Sequence, residues 1–224
     1  MSVPGFRTLS VTLPPHSGEG VLGFLAGAAR GIVLFAHSSG SSRLSPRNTF
    51  VAQALQHAGL ATLLFDLLTG QEAANRSNVF DSPLLADRLS QAATWLGTVA
   101  AGRDLPVGFF GASTGAAAAL VVAAGRNDLR AIVSRGGRPD LAGDALEHVT
   151  SPTVLIVGRH DTEVLALNRS AYWRLHRERH LGVVPGAMHL FEEPGTLDSV
   201  VTLARDWFLT HLPVGIAKVL SDVP

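Results

Sequence analysis

The sequence predicts an α/β fold: a mostly parallel sheet of about eight strands with helices on both faces. Three observations predict it. Short apolar runs alternate along the chain with helical patterns, as in βαβ units. The runs at Gly31–Ala36 and Leu60–Phe65 are apolar without interruption, as expected of strands covered on both faces. Helix starts are punctuated by Ser-Pro pairs, at Ser45-Pro46 and Ser82-Pro83, where serine suits the cap and proline the first helical position.

Taken in order, the first two strands fall near Phe6–Leu13 and Gly20–Ala26. No helix fits between them, and Pro14, Pro15 and Gly18 mark a turn, so they form an antiparallel hairpin. Strand Gly31–Ala36 leads to a helix from Ser45 to His57 that stops at Gly59, and strand Leu60–Phe65 follows. A helix from Ser82 to Ala101 precedes strand Leu105–Phe110 and a helix over Ser113–Ala124. Arg130–Ser134 and Thr153–Val157 are strands, Glu163–Leu175 a helix, His180–Val184 a strand and Leu197–His211 the last long helix. The stretch between Ser134 and Thr153 is too short for a lid domain, which predicts an open site.

The 224 residues suit one domain spanning 1–224. A chain of that size buries roughly 70% of its unfolded surface, enough for a core without metals or disulfides. Eighteen basic residues balance 18 acidic ones. Nucleic-acid binding, which draws on a basic excess, is therefore not expected. The absence of cysteine excludes disulfides, thiolate metal sites and a cysteine nucleophile. Met1–Pro15 lacks an apolar run of signal-peptide length, so the expectation is a cytoplasmic protein with no membrane partner. The uncharged stretch Leu105–Gly125 has about the length of a membrane span, but its glycines and alanines fit a buried strand, a tight turn and a buried helix better.

The strongest chemical signal is Gly111-Ala112-Ser113-Thr114-Gly115, set between an apolar strand and an alanine-rich helix. A sharp strand-to-helix turn presents a serine hydroxyl at the head of the helix, where backbone N–H groups stabilise negative charge. The plainer reading is a glycine-rich turn whose serine caps the helix. A serine needs a base, and on this architecture the chain order is serine, acid, histidine. Asp161 follows strand Thr153–Val157, and His189 follows the next strand in Pro185-Gly186-Ala187-Met188-His189. Both fall past the carboxyl ends of strands, where open α/β sheets bind ligands. Of nine histidines, His189 alone has this order and place. Asp161 has rivals in Glu163 and Asp140. One oxyanion donor is expected on Thr114 and the other in the loop His37-Ser38-Ser39-Gly40-Ser41-Ser42. Arg135 and Arg138 either bind a substrate carboxylate or pair with Asp140, Asp144 or Glu72; structural pairing is the favoured alternative. Arg43, Arg47 and Asp66 are similarly placed.

With Ser134-Arg135-Gly136-Gly137-Arg138-Pro139-Asp140 added to these motifs, the chain resembles the dienelactone hydrolase-like branch of the α/β hydrolases over nearly its whole length. The resemblance implies an α/β-hydrolase fold, a Ser113–Asp161–His189 triad, Ser39 as the second oxyanion donor, and no cofactor or metal. Dienelactone hydrolases carry cysteine where this chain has Ser113, so dienelactone itself is not the expected substrate. The expected activity is hydrolysis of a small-molecule carboxylic ester or lactone through an acyl-enzyme. An acyltransferase or peptidase with the same triad is the alternative, as is a non-catalytic small-molecule receptor.

Overall fold

The computed structural model describes residues 5–15, 18–25, 28–37, 41–99, 104–212 and 218–219. Strands β1 (Phe6–Leu13) and β2 (Gly18–Leu25) pair antiparallel, Phe6 opposite Leu25. The short β3 (Ala28–Ala29) precedes β4 (Ile32–Ala36), α1 (Pro46–His57) and β5 (Ala61–Phe65). Helix α2 (Gly70–Ala74) and a 3-10 turn at Asn78–Phe80 come next, then α3 (Ser82–Thr98), β6 (Val107–Ala112) and α4 (Thr114–Ala124). Strand β7 (Leu129–Arg135) runs into a kinked 3-10 stretch, Pro139–His148. The chain continues through β8 (Thr153–Gly158), α5 (Thr162–Arg174), β9 (Arg179–Val184), α6 (Thr196–His211) and β10 (Lys218–Val219).

Eight strands form one sheet in the order β1-β2-β5-β4-β6-β7-β8-β9. From β5 to β9 every neighbouring pair is parallel, and β2 joins β5 antiparallel. The chain steps from β4 outward to β5, then returns to place β6 on the other side of β4. Such a reversal opens a crevice at the carboxyl ends of the two central strands, where doubly wound sheets bind ligands. The loops after β4 and β6 flank it.

Each sheet face has its own core. Leu85, Leu89 and Leu96 of α3 and the alanines of α4 pack against Leu34, Phe109 and Ile132. Val51 and Leu55 of α1 and Val200, Ala204 and Phe208 of α6 cover Phe35, Phe110 and Val133. The alanine run of α4 is buried nearly throughout, so the uncharged stretch is core. Among the described residues no helix is long and apolar enough to cross a membrane.

One capping expectation is corrected. Asp81, not Ser82, caps α3: its carboxylate accepts the Leu84 N–H at 3.0 Å, because Pro83 shifts the helical start one residue earlier. Ser45 occupies the cap position of α1, but its side chain makes no capping hydrogen bond. The expected helix end at Ala101 lies outside the described residues, and α3 closes at Thr98. Gly70–Phe80 adds a small helical wall that the sequence reading did not identify.

Candidate active site

Ser113 sits between β6 and α4 at φ 51°, ψ −118°, a conformation that costs a non-glycine residue on the order of 1–3 kcal/mol. Close packing enforces it. A Cβ on Gly111 would fall 2.4 Å from Ala116 Cα, and one on Gly115 would fall 2.1 Å from the Ala36 carbonyl oxygen. Only glycines let the first turn of α4 lie on the ends of β4 and β6. Ser113 holds the cap position, yet its hydroxyl makes no capping hydrogen bond, so its side chain has no structural task there.

The Asp161 and His189 loops are locked together. Gly158, the last residue of β8, lies so close to the His189 loop that a Cβ would meet Ala187 O at 2.4 Å and Met188 O at 2.6 Å. The His160 N–H donates to Ala187 O at 2.9 Å and the Arg159 N–H to Val184 O at 2.9 Å. Asp161 caps α5 by position, but its carboxylate is not spent on the helix; Oδ2 lies 2.7 Å from His189 Nδ1. The carboxylate is 13% exposed and the imidazole 39%, so the carboxylate is sheltered while the ring is open to solvent. Neither rival acid shares this contact: Asp140 holds Arg138, and Glu163 lies in the first turn of α5.

The loop after β7 brings His189 near Ser113. Ser113 N–H donates to Arg135 O at 3.3 Å, and Arg138 N–H donates to Ser113 O at 3.0 Å. Between them Gly136, at φ 51°, packs so near the imidazole that a Cβ would lie 3.5 Å from two of its ring atoms. Ser113 and His189 therefore flank one glycine. No hydrogen bond joins the Ser113 hydroxyl to the imidazole in this structure; such contacts commonly tighten only around a substrate.

A cavity of about 490 Å³ opens beside Thr114, the residue after Ser113. It reaches Thr114 and His37 and is walled by Leu67, Leu68, Phe80 and Leu85, with Arg76 exposed at its edge. His37 Nε2 accepts the Leu67 N–H at 3.1 Å, which puts the ring proton on Nδ1. Arg43 bridges Asp66 and Glu19, pinning the loop after β4 to the end of β5. Ser39, the expected second oxyanion donor, lies outside the described residues. The cavity wall escaped the sequence reading, although Thr69-x-x-Glu72 signals a helix start: Thr69 Oγ accepts the Glu72 N–H and Glu72 Oε2 accepts the Thr69 N–H.

The two candidate substrate arginines part company. Arg138 forks onto Asp140 with hydrogen bonds of 2.9 and 2.7 Å, and that carboxylate raises its pKa. Arg135 is 6% exposed, and Nε and Nη1 have no partner. Its Cζ lies 5.9 Å from the centroid of the Phe191 ring. Burial, with a smaller push from Arg47, takes its pKa down to about 10, so it stays a cation at neutral pH. A cation over a phenyl ring gains about 0.5–2 kcal/mol. Burying an unpaired charge costs several kcal/mol. Stability alone does not account for Arg135.

A dienelactone hydrolase from Anabaena variabilis shares this architecture at a TM-score of 0.88 and is 51% identical, covering 94% of this chain and 99% of its own. The chain belongs to the dienelactone hydrolase family. Among more distant members of the fold, the esterase domain of a Rhodothermus marinus protein aligns at a TM-score of 0.71 with 18% identity, covering 93% of this chain and 99% of its own. Two Mycobacterium tuberculosis proteins, provisionally named phosphoribosyl transferases, are 61% identical over 184 residues, 82% of this chain. The chain spans only 42% of their length. No protein-family model matches the chain.

Proposed function

We propose that the protein hydrolyses a small-molecule carboxylic ester or lactone through an acyl-enzyme formed on Ser113. The observation that carries this reading is the 2.7 Å contact between Asp161 Oδ2 and His189 Nδ1, with the imidazole packed on the glycine beside Ser113. With Nδ1–H donated to Asp161, Nε2 is free of the proton and can accept that of Ser113. The Ser113 oxygen attacks the carbonyl carbon while His189 takes the proton. The backbone N–H of Thr114, at the start of α4, and that of Ser39 stabilise the tetrahedral oxyanion. Collapse expels the alcohol, which receives the proton from His189; in a lactone the alcohol stays tethered. Water then attacks the acyl-enzyme, its proton passes to His189, and Ser113 is regenerated. Asp161 stabilises the imidazolium at both stages. The apolar cavity beside Thr114 suits the acyl portion.

The chemistry needs no cofactor, and a small molecule can reach a site without a lid domain. Phosphoribosyl transfer appears only in the provisional names of relatives of which this chain matches 42%. A fluorophosphonate probe should label Ser113 alone, and Ser113→Ala should lower kcat by at least about 10³-fold. Mass spectrometry of labelled peptides decides it. Label on another serine, or undiminished kcat in Ser113→Ala, overturns the assignment.

A further inference from the structure

The cavity beside Thr114 is larger than an acetyl group needs. Its volume of about 490 Å³ falls among the pockets of roughly 300–1,000 Å³ that enclose whole small molecules. Leu67, Leu68, Val79, Phe80 and Leu85 wall it, and Ala73 of α2 contributes only a methyl group. Among the described residues, seven large apolar side chains stay exposed, and four of them gather at this end of the sheet. Leu44 follows β4, Phe80 follows β5, and Met188 and Leu190 follow β9. Scattered singly such side chains mean little, but gathered around a cleft they mark where an apolar ligand lies.

The charges along the lining are spent on the chain itself. Asp66 accepts the Arg43 N–H at 2.7 Å and pairs with the Arg43 guanidinium. His37 Nε2 accepts the Leu67 N–H. Arg76 lies exposed at the edge, where its cation stays hydrated. A carboxylate entering the cavity would give up water beside the carboxylate of Asp66, whereas a methylene chain gains by leaving water.

The order of strands says which part of a substrate the cavity meets. Ser113 follows β6, and the cavity lies to one side of it, over the ends of β4 and β5, at His37, Asp66 and Leu67. His189 follows β9, on the other side. The proton that His189 returns goes to the leaving oxygen, so the alcohol portion faces that side and the acyl chain faces the cavity.

We propose that the cavity binds an uncharged aliphatic acyl chain longer than acetyl, so that the substrates are neutral, apolar esters or lactones. The inference rests on the ester hydrolase reading and adds a substrate class to it. A fully covered methylene favours binding by about 4-fold. Phe80 is itself 48% exposed, so the cover is partial, and hexanoyl should exceed acetyl by roughly 10- to 200-fold in kcat/KM.

The test compares kcat/KM for methyl acetate, methyl butyrate, methyl hexanoate and monomethyl adipate, the last matching hexanoate in length with a carboxylate at its end. The wild-type protein should prefer hexanoate to acetate and to adipate. Ala73→Phe, at an exposed position, should fill the cavity and lower the hexanoate-to-acetate ratio by about 10-fold or more. Phe80→Ala, which removes apolar wall, should lower it by less, and it serves if the phenylalanine variant does not fold. A wild-type ratio near one, a preference for adipate, or a ratio that both variants leave unchanged overturns the proposal. If the wild-type protein hydrolyses none of these esters, the hydrolase reading has failed, and calorimetry with hexanamide at two temperatures reads the cavity on its own. Saturable binding with a negative heat-capacity change, lost in Ala73→Phe, supports the apolar site; no saturable binding, or binding that Ala73→Phe leaves intact, overturns it.

Discussion

Asp161 shows how a single side chain acquires a task from what its neighbours decline to use. A helix cap is where aspartate is favoured for its own sake, since its carboxylate satisfies a backbone N–H. Here the carboxylate leaves that bond unmade and meets the imidazole instead. Asp161→Asn should therefore cost little in stability and much in rate. The amide still fits the space, but it favours the wrong imidazole tautomer, and kcat should fall on the order of 10²–10⁴-fold. Asp140→Asn breaks only the half-exposed pair with Arg138, for which a loss of about 1 kcal/mol or less is expected, with kcat within a few-fold of wild type. Steady-state kinetics beside thermal melts of both variants distinguish the two. A larger kcat loss in Asp140→Asn would move the acid to the other loop. The grouping of such residues was legible in sequence through order and position: Ser113, Asp161 and His189 each fall in a loop past the carboxyl end of a strand. The isolation of Arg135 was not, because a charge pairs or fails to pair only through contacts such as those of Arg138 with Asp140.

At the scale of elements, loops are held in register by glycines rather than by hydrogen bonds alone. Gly158 allows the end of β8 to touch the main chain of the His189 loop. Gly158→Ala should force the two apart, destabilising the protein by roughly 1–3 kcal/mol and lowering kcat by lengthening the acid–base contact. Unchanged kcat in a folded variant would show that the loops find their register without this contact. The cavity wall offers a second case, with a sign fixed by charge. The backbone N–H of Thr69 and the guanidinium of Arg88 hold the Glu72 pKa below its ordinary value near 4.5, against a smaller opposing effect of burial. A lowered carboxylate pKa means stabilisation that is complete above the unfolded value and lost as pH falls through the folded one. The difference in Tm between wild type and Glu72→Gln should therefore narrow as pH falls below the ordinary value near 4.5. A constant difference would mean that the carboxylate's charge is not what holds the wall. Helix existence was legible for the long apolar segments, whereas α2 is only five residues with no buried face, so periodicity had nothing to act on. Its capping box was the one local signal.

At the scale of the whole molecule, the sheet separates two cores, and the crevice over its centre depends on both layers holding their spacing. The α/β class and the parallel order were readable because strands buried on both faces lose their alternation, as in β4 and β5, every residue of which is buried. The distance between layers was not readable, since it is set by pairs of residues far apart in sequence. Gly108 and Phe208 are such a pair: a Cβ on Gly108 in β6 would fall 2.7 Å from the Phe208 ring in α6. The ring is fully buried, so the glycine exists to receive it. Gly108→Ala alone should destabilise by roughly 1–3 kcal/mol through overpacking. Phe208→Ala alone should cost about 3–5 kcal/mol through the cavity it leaves. If the two residues share one space, the added methyl fills part of that cavity, and the double variant should be more stable than the sum of the single losses implies, by about 0.5–3 kcal/mol. Urea melts of the four proteins in the cycle measure this coupling. Strict additivity would mean that α6 shifts to relieve each change separately. The Asp161–His189 contact should then weaken in Gly108→Ala as well, because α6 begins only seven residues after the base, and kcat would fall together with stability.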